Sequence, residues 1–305
     1  MTKKNKHVAL VMGGMSAERE VSLMSGKGIE KALRENGYQV TVIDLQRDIA
    51  EKLSAAKPDV VFNALHGTYG EDGCLQGLLE ILGIPYTHSG ILASALAMDK
   101  PTAKNVLQDR GILCPPGAVV STVDIANGNI PFPKPYVIKP ISEGSSVGVY
   151  IIKEGVNGPN MAEIKKYHSM LVEKYIPGRE LSVAVTDEKP LGVVEIRPKN
   201  GFYDYTNKYS DGKTEHLMPA PVNDSVYKEA MDIAFKAHKM LGCRGVSRSD
   251  FRLDEADGNK LYLLEINTHP GMTPLSLVPE IASHVGISFN ELIKYLVENA
   301  RCDNK

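Results

Sequence analysis

The segment from His7 to Gly83 alternates short apolar runs with helix-length amphipathic stretches, and this alternation restricts the fold more than any other feature of the chain. His7–Met12 reads as a buried strand ending at Gly13-Gly14, followed by a helix over Ala17–Asn36 with Gly37 as its stop, and by a strand over Gln39–Ile43. A third strand is expected over Asp59–Leu65, then a glycine-rich turn over His66–Gly73 and a helix over Leu75–Leu82. Strands separated by helices build a doubly wound parallel α/β sheet, which takes ligands beyond the carboxyl ends of its strands. The loops Gly13–Glu20 and His66–Asp72 fall at those ends.

From Met98 the pattern changes. A helix over Met98–Asp109 leads into a turn-rich segment with Pro115, Pro116, Pro131, Pro133 and Pro135, so a domain boundary is expected near residue 97. Strands are expected over Tyr136–Lys139, Val147–Ile152 and Ser169–Tyr175, and a further sheet over Glu180–Thr186 and Leu191–Glu195. Asn200–Thr214 has no period and is rich in Gly, Asn, Asp and Tyr, which fits an active-site lid or a linker. A helix over Val226–Leu241, strands over Gly245–Leu253 and Lys260–Asn267, and a helix over Ser288–Ala300 complete the reading.

At 305 residues the chain exceeds what one core usually holds, so two or three domains around a cleft are expected. A formal charge of -2 gives no general reason to bind nucleic acid or an anionic membrane. Cys74, Cys114, Cys243 and Cys302 form no C-x-x-C pair, which fits a reducing compartment rather than a zinc or disulfide framework. Lys3, Lys4 and Lys6 precede an apolar run too short for a signal peptide, and no stretch approaches the roughly 20 apolar residues of a membrane span, so a cytoplasmic protein is expected.

Glu143–Gly148 offers backbone amides and hydroxyls that suit phosphate oxygens, but alone does not separate a nucleotide cradle from a hairpin turn. It is no Walker A loop, lacking the G-K-[ST] ending. Lys139 just before it and Lys100 on the preceding helix supply mobile positive charges for a nucleotide. The backbone of Glu173–Ile176 is placed to meet an adenine edge, and Glu180 to accept from ribose hydroxyls. In Ser247–Leu253 and Leu263–Asn267, strand alternation sets Arg248 with Asp250 on one face, and Glu265 with Asn267 on one face. Two carboxylates and an amide oxygen make a hard, oxygen-only site suited to magnesium shared with substrate phosphates. Thr268–Thr273 then brings a glycine N–H beside Arg248, a pair able to stabilise an oxyanion, with His269 read as a spacer rather than a base.

Taken in order, Gly13–Ser22, Ala64–Gly67, Glu71–Gly73, Met98–Lys100, Glu143–Gly148, Tyr203–Tyr205 and Glu265–Thr268 closely resemble the D-alanine:D-alanine ligases of the ATP-grasp superfamily, essentially over the whole chain. The resemblance implies an N-terminal Rossmann-like domain at 1–97, a central ATP-grasp domain at 98–180 and a C-terminal catalytic domain at 181–305. It implies a homodimer that binds ATP with magnesium or manganese and makes a peptidoglycan precursor. By the same resemblance Glu18 holds the ammonium of the first D-alanine, with Ser145 and Tyr209 positioning it, and His66 lies near the reacting carboxyl. Lys100, Lys139, Glu173, Lys174, Ile176, Glu180 and Lys208 match ATP contacts, and Asp250, Glu265 and Asn267 match metal ligands. Arg248 and Gly271 match the donors around the tetrahedral intermediate, and Ser276 with Leu277 the site of the second D-alanine. The rival readings are a D-alanine:D-lactate or D-alanine:D-serine ligase, a dinucleotide oxidoreductase that would lack G-x-G-x-x-G, and a regulatory nucleotide-binding module.

Overall fold

β1 (His7–Met12) is the middle strand of a parallel sheet of order β2-β1-β3, between β2 (Gln39–Asp44) and β3 (Val60–Asn63). The computed structural model describes residues 6–144, 147–155, 158–199, 214–273 and 276–303. Strand alternation sends Val8 and Leu10 to one face, against Ile29 and Leu33 of α1 (Arg19–Glu35). Ala9 and Val11 go to the other, against Leu53 of α2 (Ile49–Ala56) and Leu75 and Leu79 of α3 (Cys74–Leu82). Helices therefore cover both faces, and β1 is apolar throughout because neither side meets water.

α4 (Ile91–Met98) and α5 (Lys100–Gln108) follow. The single helix expected over Met98–Asp109 is thus corrected: the chain breaks at Asp99, whose extended backbone and side chain cap α5 by accepting from the Thr102 amide at 2.9 Å. The next sheet is antiparallel with order β4-β7-β5-β6, formed by β4 (Gly117–Ser121), β5 (Tyr136–Lys139), β6 (Tyr150–Ile152) and β7 (Ser169–Lys174). The strand expected from Val147 starts only at Tyr150, because Gly148 takes a left-handed φ of 68° that no strand accommodates. Two short helices, α6 (Thr122–Ala126) and α7 (Met161–Ile164), cover this sheet's connections.

The largest sheet has order β10-β9-β8-β11-β12: β8 (Arg179–Thr186), β9 (Pro190–Pro198), β10 (Thr214–Leu217), β11 (Val246–Asp254) and β12 (Lys260–Asn267), all antiparallel. Residues 175–178 are the crossing from the end of β7 to the start of β8, joining the two antiparallel sheets. α8 (Asp224–Met240) buries Ala230, Ala234 and Ala237 against one face of the large sheet. α9 (Leu277–His284) and α10 (Phe289–Glu298) lie between the other face and the N-terminal sheet, so Ala184 and Val194 share one core with Val8, Leu10 and Leu296. Of the expected lid, residues 200–213 lie outside the described residues, and Thr214 opens β10. Among the described residues no helix is long and apolar enough to cross a membrane.

Candidate active site

The loop after β1 is built around Asp44 at the end of β2. Arg19 donates through Nη1 to Asp44 Oδ1 at 2.8 Å and to the Gly14 carbonyl at 3.0 Å, and through Nη2 to Asp44 Oδ2 at 2.6 Å. The Gly14 amide donates to Asp44 Oδ1 at 3.1 Å, and the bond from Arg19 brings the Asp44 carboxyl down to about 2. This clamp fixes the loop ahead of Glu18, which is buried with its carboxylate beside Gly67 and Gly144. A Cβ at Gly67 would stand 2.7 Å from Glu18 Oε2 and one at Gly144 3.1 Å, so both positions need to be small for the carboxylate to occupy this place. Asp44→Asn is expected to raise the KM of the substrate that meets Glu18 several-fold with a smaller change in kcat, because Asp44 acts only through the loop; steady-state kinetics check the split.

Glu18, His66, Glu71, Lys100, Arg248 and Gly271 converge on one cavity. His66 Nδ1 lies 3.1 Å from Glu71 Oε1 and its Nε2 3.2 Å from Ser25 Oγ, so the ring is held at both ends. Lys100 Nζ donates to the Glu143 carbonyl at 2.6 Å and lies 3.9 Å from Glu265 Oε2. Burial pushes its ammonium below the usual lysine range, with Glu265 opposing.

A second cavity of about 680 Å³ opens between the two antiparallel sheets. Val137, Val149, Ile151, Ile176 and Leu264 give it apolar walls, while Lys139, Glu173, Lys174, Glu180, Asp250 and Glu265 supply charge. Lys139 holds Glu173 Oε2 at 2.6 Å. Glu180 lies 3.5 Å from Arg252, whose Nε donates to the Ile176 carbonyl at 3.2 Å. Glu265 lines both cavities, so the two spaces meet at its carboxylate.

Register places Asp250 opposite Glu265 and Arg248 opposite Asn267 as the sequence alternation implies, but it shifts between Asp250 and Phe251, so that Leu264 and Glu265 both line the larger cavity. Asp250 accepts from Arg248 Nε and Nη2 at 2.8 and 2.7 Å and from Ser182 Oγ. Asn267 Oδ1 accepts from the His269 amide at 2.8 Å. Among the described residues no group of three or more His, Cys, Asp or Glu could hold a metal unaided. Two carboxylates and an amide oxygen where the two cavities meet nevertheless fit magnesium, which takes few protein ligands and completes its shell with other oxygens and water.

Ser276 and Leu277 do not line either cavity: Ser276 precedes α9 and accepts from the Thr273 amide at 2.9 Å, and the Leu277 side chain is buried in the core. Ser145, Tyr209 and Lys208 lie outside the described residues. His269, read as a spacer, is a buried pin. Its Nε2 lies 2.7 Å from the Asn63 carbonyl and its ring 3.9 Å, centroid to centroid, from His88. Burial first, then the neighbouring imidazoles, drive its pKa well below the histidine range, so it is neutral at physiological pH. The cleft residues Lys153, Arg179, Arg197 and Arg252 went unread, since each looks like a solvated surface cation in the sequence.

The family model described as D-ala D-ala ligase C-terminus matches residues 126–298, and that described as D-ala D-ala ligase N-terminus matches residues 46–89. The chain is 54% identical over 304 residues to the D-alanine–D-alanine ligase of Parvibaculum lavamentivorans, covering 98% of each, and 51% identical to that of Zymomonas mobilis, covering 98% and 95%. Among solved structures, the Bacillus anthracis D-alanine–D-alanine ligase complexed with ATP superposes with a TM-score of 0.80 at 31% identity, covering 97% of both chains. The VanG D-Ala:D-Ser ligase of Enterococcus faecalis superposes with a TM-score of 0.79 at 29% identity, covering 97% of this chain and 99% of that one.

Proposed function

Because the chain belongs to the D-alanine–D-alanine ligase family, we propose that its two meeting cavities divide that family's reaction, the larger taking ATP and the smaller the amino acid. The chain is an ADP-forming, ATP-dependent ligase with the ATP-grasp fold, and it joins two D-alanines for cell-wall synthesis. The observation that carries the division is that Glu265 lines both spaces. A carboxylate substrate held by Glu18 meets the terminal phosphate of a nucleotide held between the sheets at that residue.

In this reading Lys139 and Lys100 neutralise phosphate charge, the apolar walls take the base, and Glu180 accepts from ribose. Asp250, Glu265 and Asn267 hold magnesium or manganese, which when bound neutralises phosphate oxygens and orients the terminal phosphate. The carboxylate of the first D-alanine attacks the γ-phosphorus, and ADP leaves as the acyl phosphate forms. The amine of the second D-alanine attacks the acyl carbon and phosphate departs. Arg248 and the Gly271 amide face the oxygen that gains charge. His66, steadied by Glu71 and Ser25, orients the reacting carboxyl. Ser145 and Tyr209 position Glu18, Lys208 reaches the terminal phosphate, and Ser276 with Leu277 receives the second D-alanine; these assignments rest on the family resemblance. Although Ser276 and Leu277 do not line the smaller cavity, Ser276 Oγ stands 2.8 Å from where a Cβ on Gly271 of that cavity would lie. The domains are proposed at 1–97, 98–180 and 181–305, and the working protein is proposed to be a cytoplasmic homodimer.

The test is phosphate release from ATP in magnesium with and without D-alanine, with product analysis against D-serine and D-lactate. D-Alanyl-D-alanine as the main product and release dependent on D-alanine are expected. Release independent of any amino acid would remove the reading, and preferred use of D-lactate or D-serine would move the chain to its sister activities.

A further inference from the structure

Lys104 lies one turn beyond Lys100 on α5, is 6% exposed, and lines neither cavity. Its Nζ reaches Glu173 Oε1 from behind the cleft wall, while Lys139 Nζ holds Glu173 Oε2 at 2.6 Å from the cleft side. We propose that Lys104 is a positioning residue for the nucleotide: it neutralises Glu173 from outside the cleft, which leaves the charge of Lys139 available to phosphate and holds the Glu173 carboxylate in one orientation.

The inference rests on the reading of that cleft as the ATP site. Lys104, Glu173 and Lys139 are all buried, so their charges act on one another with little screening by solvent. Two ammoniums against one carboxylate leave one positive charge on the group; without Lys104 the remaining pair is neutral, and an incoming phosphate competes with Glu173 for Lys139. Burial brings the Lys104 ammonium down to about 8, with Lys139 adding to the effect, so its position is costly. By contrast Lys139 stays above the ordinary lysine range: burial opposes its charge, and the carboxylates of Glu173 and Glu265 outweigh burial. A purely packing role would be served as well by an apolar side chain of equal length, since Glu173 would still be paired with Lys139.

The experiment is titration calorimetry of a non-hydrolysable ATP analogue, in magnesium, on the full chain carrying Lys104→Met, with Lys139→Met as the control for the cleft. Glu173 keeps Lys139 in Lys104→Met, so no bare carboxylate is buried. The dissociation constant is expected to rise roughly 10- to 100-fold, with little change in the KM of D-alanine. Lys104→Gln, which keeps a donor and discards the charge, is expected to show the same loss and serves if the methionine variant fails to fold. In a Glu173→Gln background, where nothing is left to neutralise, Lys104→Met is expected to change binding by less than about threefold. An equal loss in both backgrounds, or unchanged binding in both Lys104 variants, overturns the proposal. If Lys139→Met also leaves binding unchanged, the cleft reading itself falls; if only the Lys104 variants are silent, that reading stands without this refinement.

Discussion

Asp250→Asn is expected to lower turnover by about 10³-fold or more while the chain stays folded. The substitution keeps the side chain's shape and an oxygen able to accept from Arg248 or Ser182, so β11 retains its register with β8 and β12. What it removes is a negative charge and one acceptor oxygen, at the place where Asp250 of β11 pairs with Glu265 of β12. In the proposed metal site, a cation shared with phosphates would then be left with one carboxylate instead of two. Circular dichroism checks the fold and coupled ADP release reads the rate; near-normal ADP release would remove Asp250 from the metal site and, with it, the pairing with Glu265.

Gly178→Ala is expected to cost about 3 kcal/mol or more of stability and to weaken nucleotide binding as well. Gly178 has φ of +98°, a region closed to side chains, and an added Cβ would lie 2.0 Å from the Leu253 carbonyl oxygen. That obstacle is backbone of a central strand and has no rotamer to turn aside. The same residue ends the crossing between the two sheets, and its own carbonyl accepts from Arg252 Nη2 at 2.6 Å. Moving it disturbs Arg252 and through it Glu180 on the cleft wall. Urea unfolding together with analogue binding is the check; a midpoint equal to that of the parent chain would show that the crossing gives way cheaply.

The strands that hold the site were the most legible part of the sequence. β1, β5 and β12 begin and end where their apolar runs do, and Arg248, Asp250, Glu265 and Asn267 fall on the cleft side by strand alternation alone. α4 was not read, because Ile91–Met98 is apolar on every side and shows no helical period; Leu92 is 69% exposed there. α9 was hidden by Pro279, which discourages a helix reading although it sits in the first turn, where no intrahelical donor is required. β4 lies just after Pro115 and Pro116, whose turn signal masks it in the sequence. Lys104 shows the deeper limit. A lysine one turn from another lysine reads as a solvated helix face, and only the fold, which brings Lys104 of α5 to Glu173 of β7, turns it into a buried partner.

The closure of the N-terminal sheet by α10 bears on how the chain is made. Val8 and Leu10 share one core with Ile29 and Leu33 of α1 and with Leu292, Leu296 and Val297, and Lys6 reaches Glu298 at 2.7 Å. A nascent chain can therefore seat α1 on the β-strand that leads to the Glu18 loop, but the core they share stays incomplete until residues 292–298 have left the ribosome. Competence to bind the amino acid is expected to arrive only once α10 has docked, and not when the N-terminal sheet alone has been made.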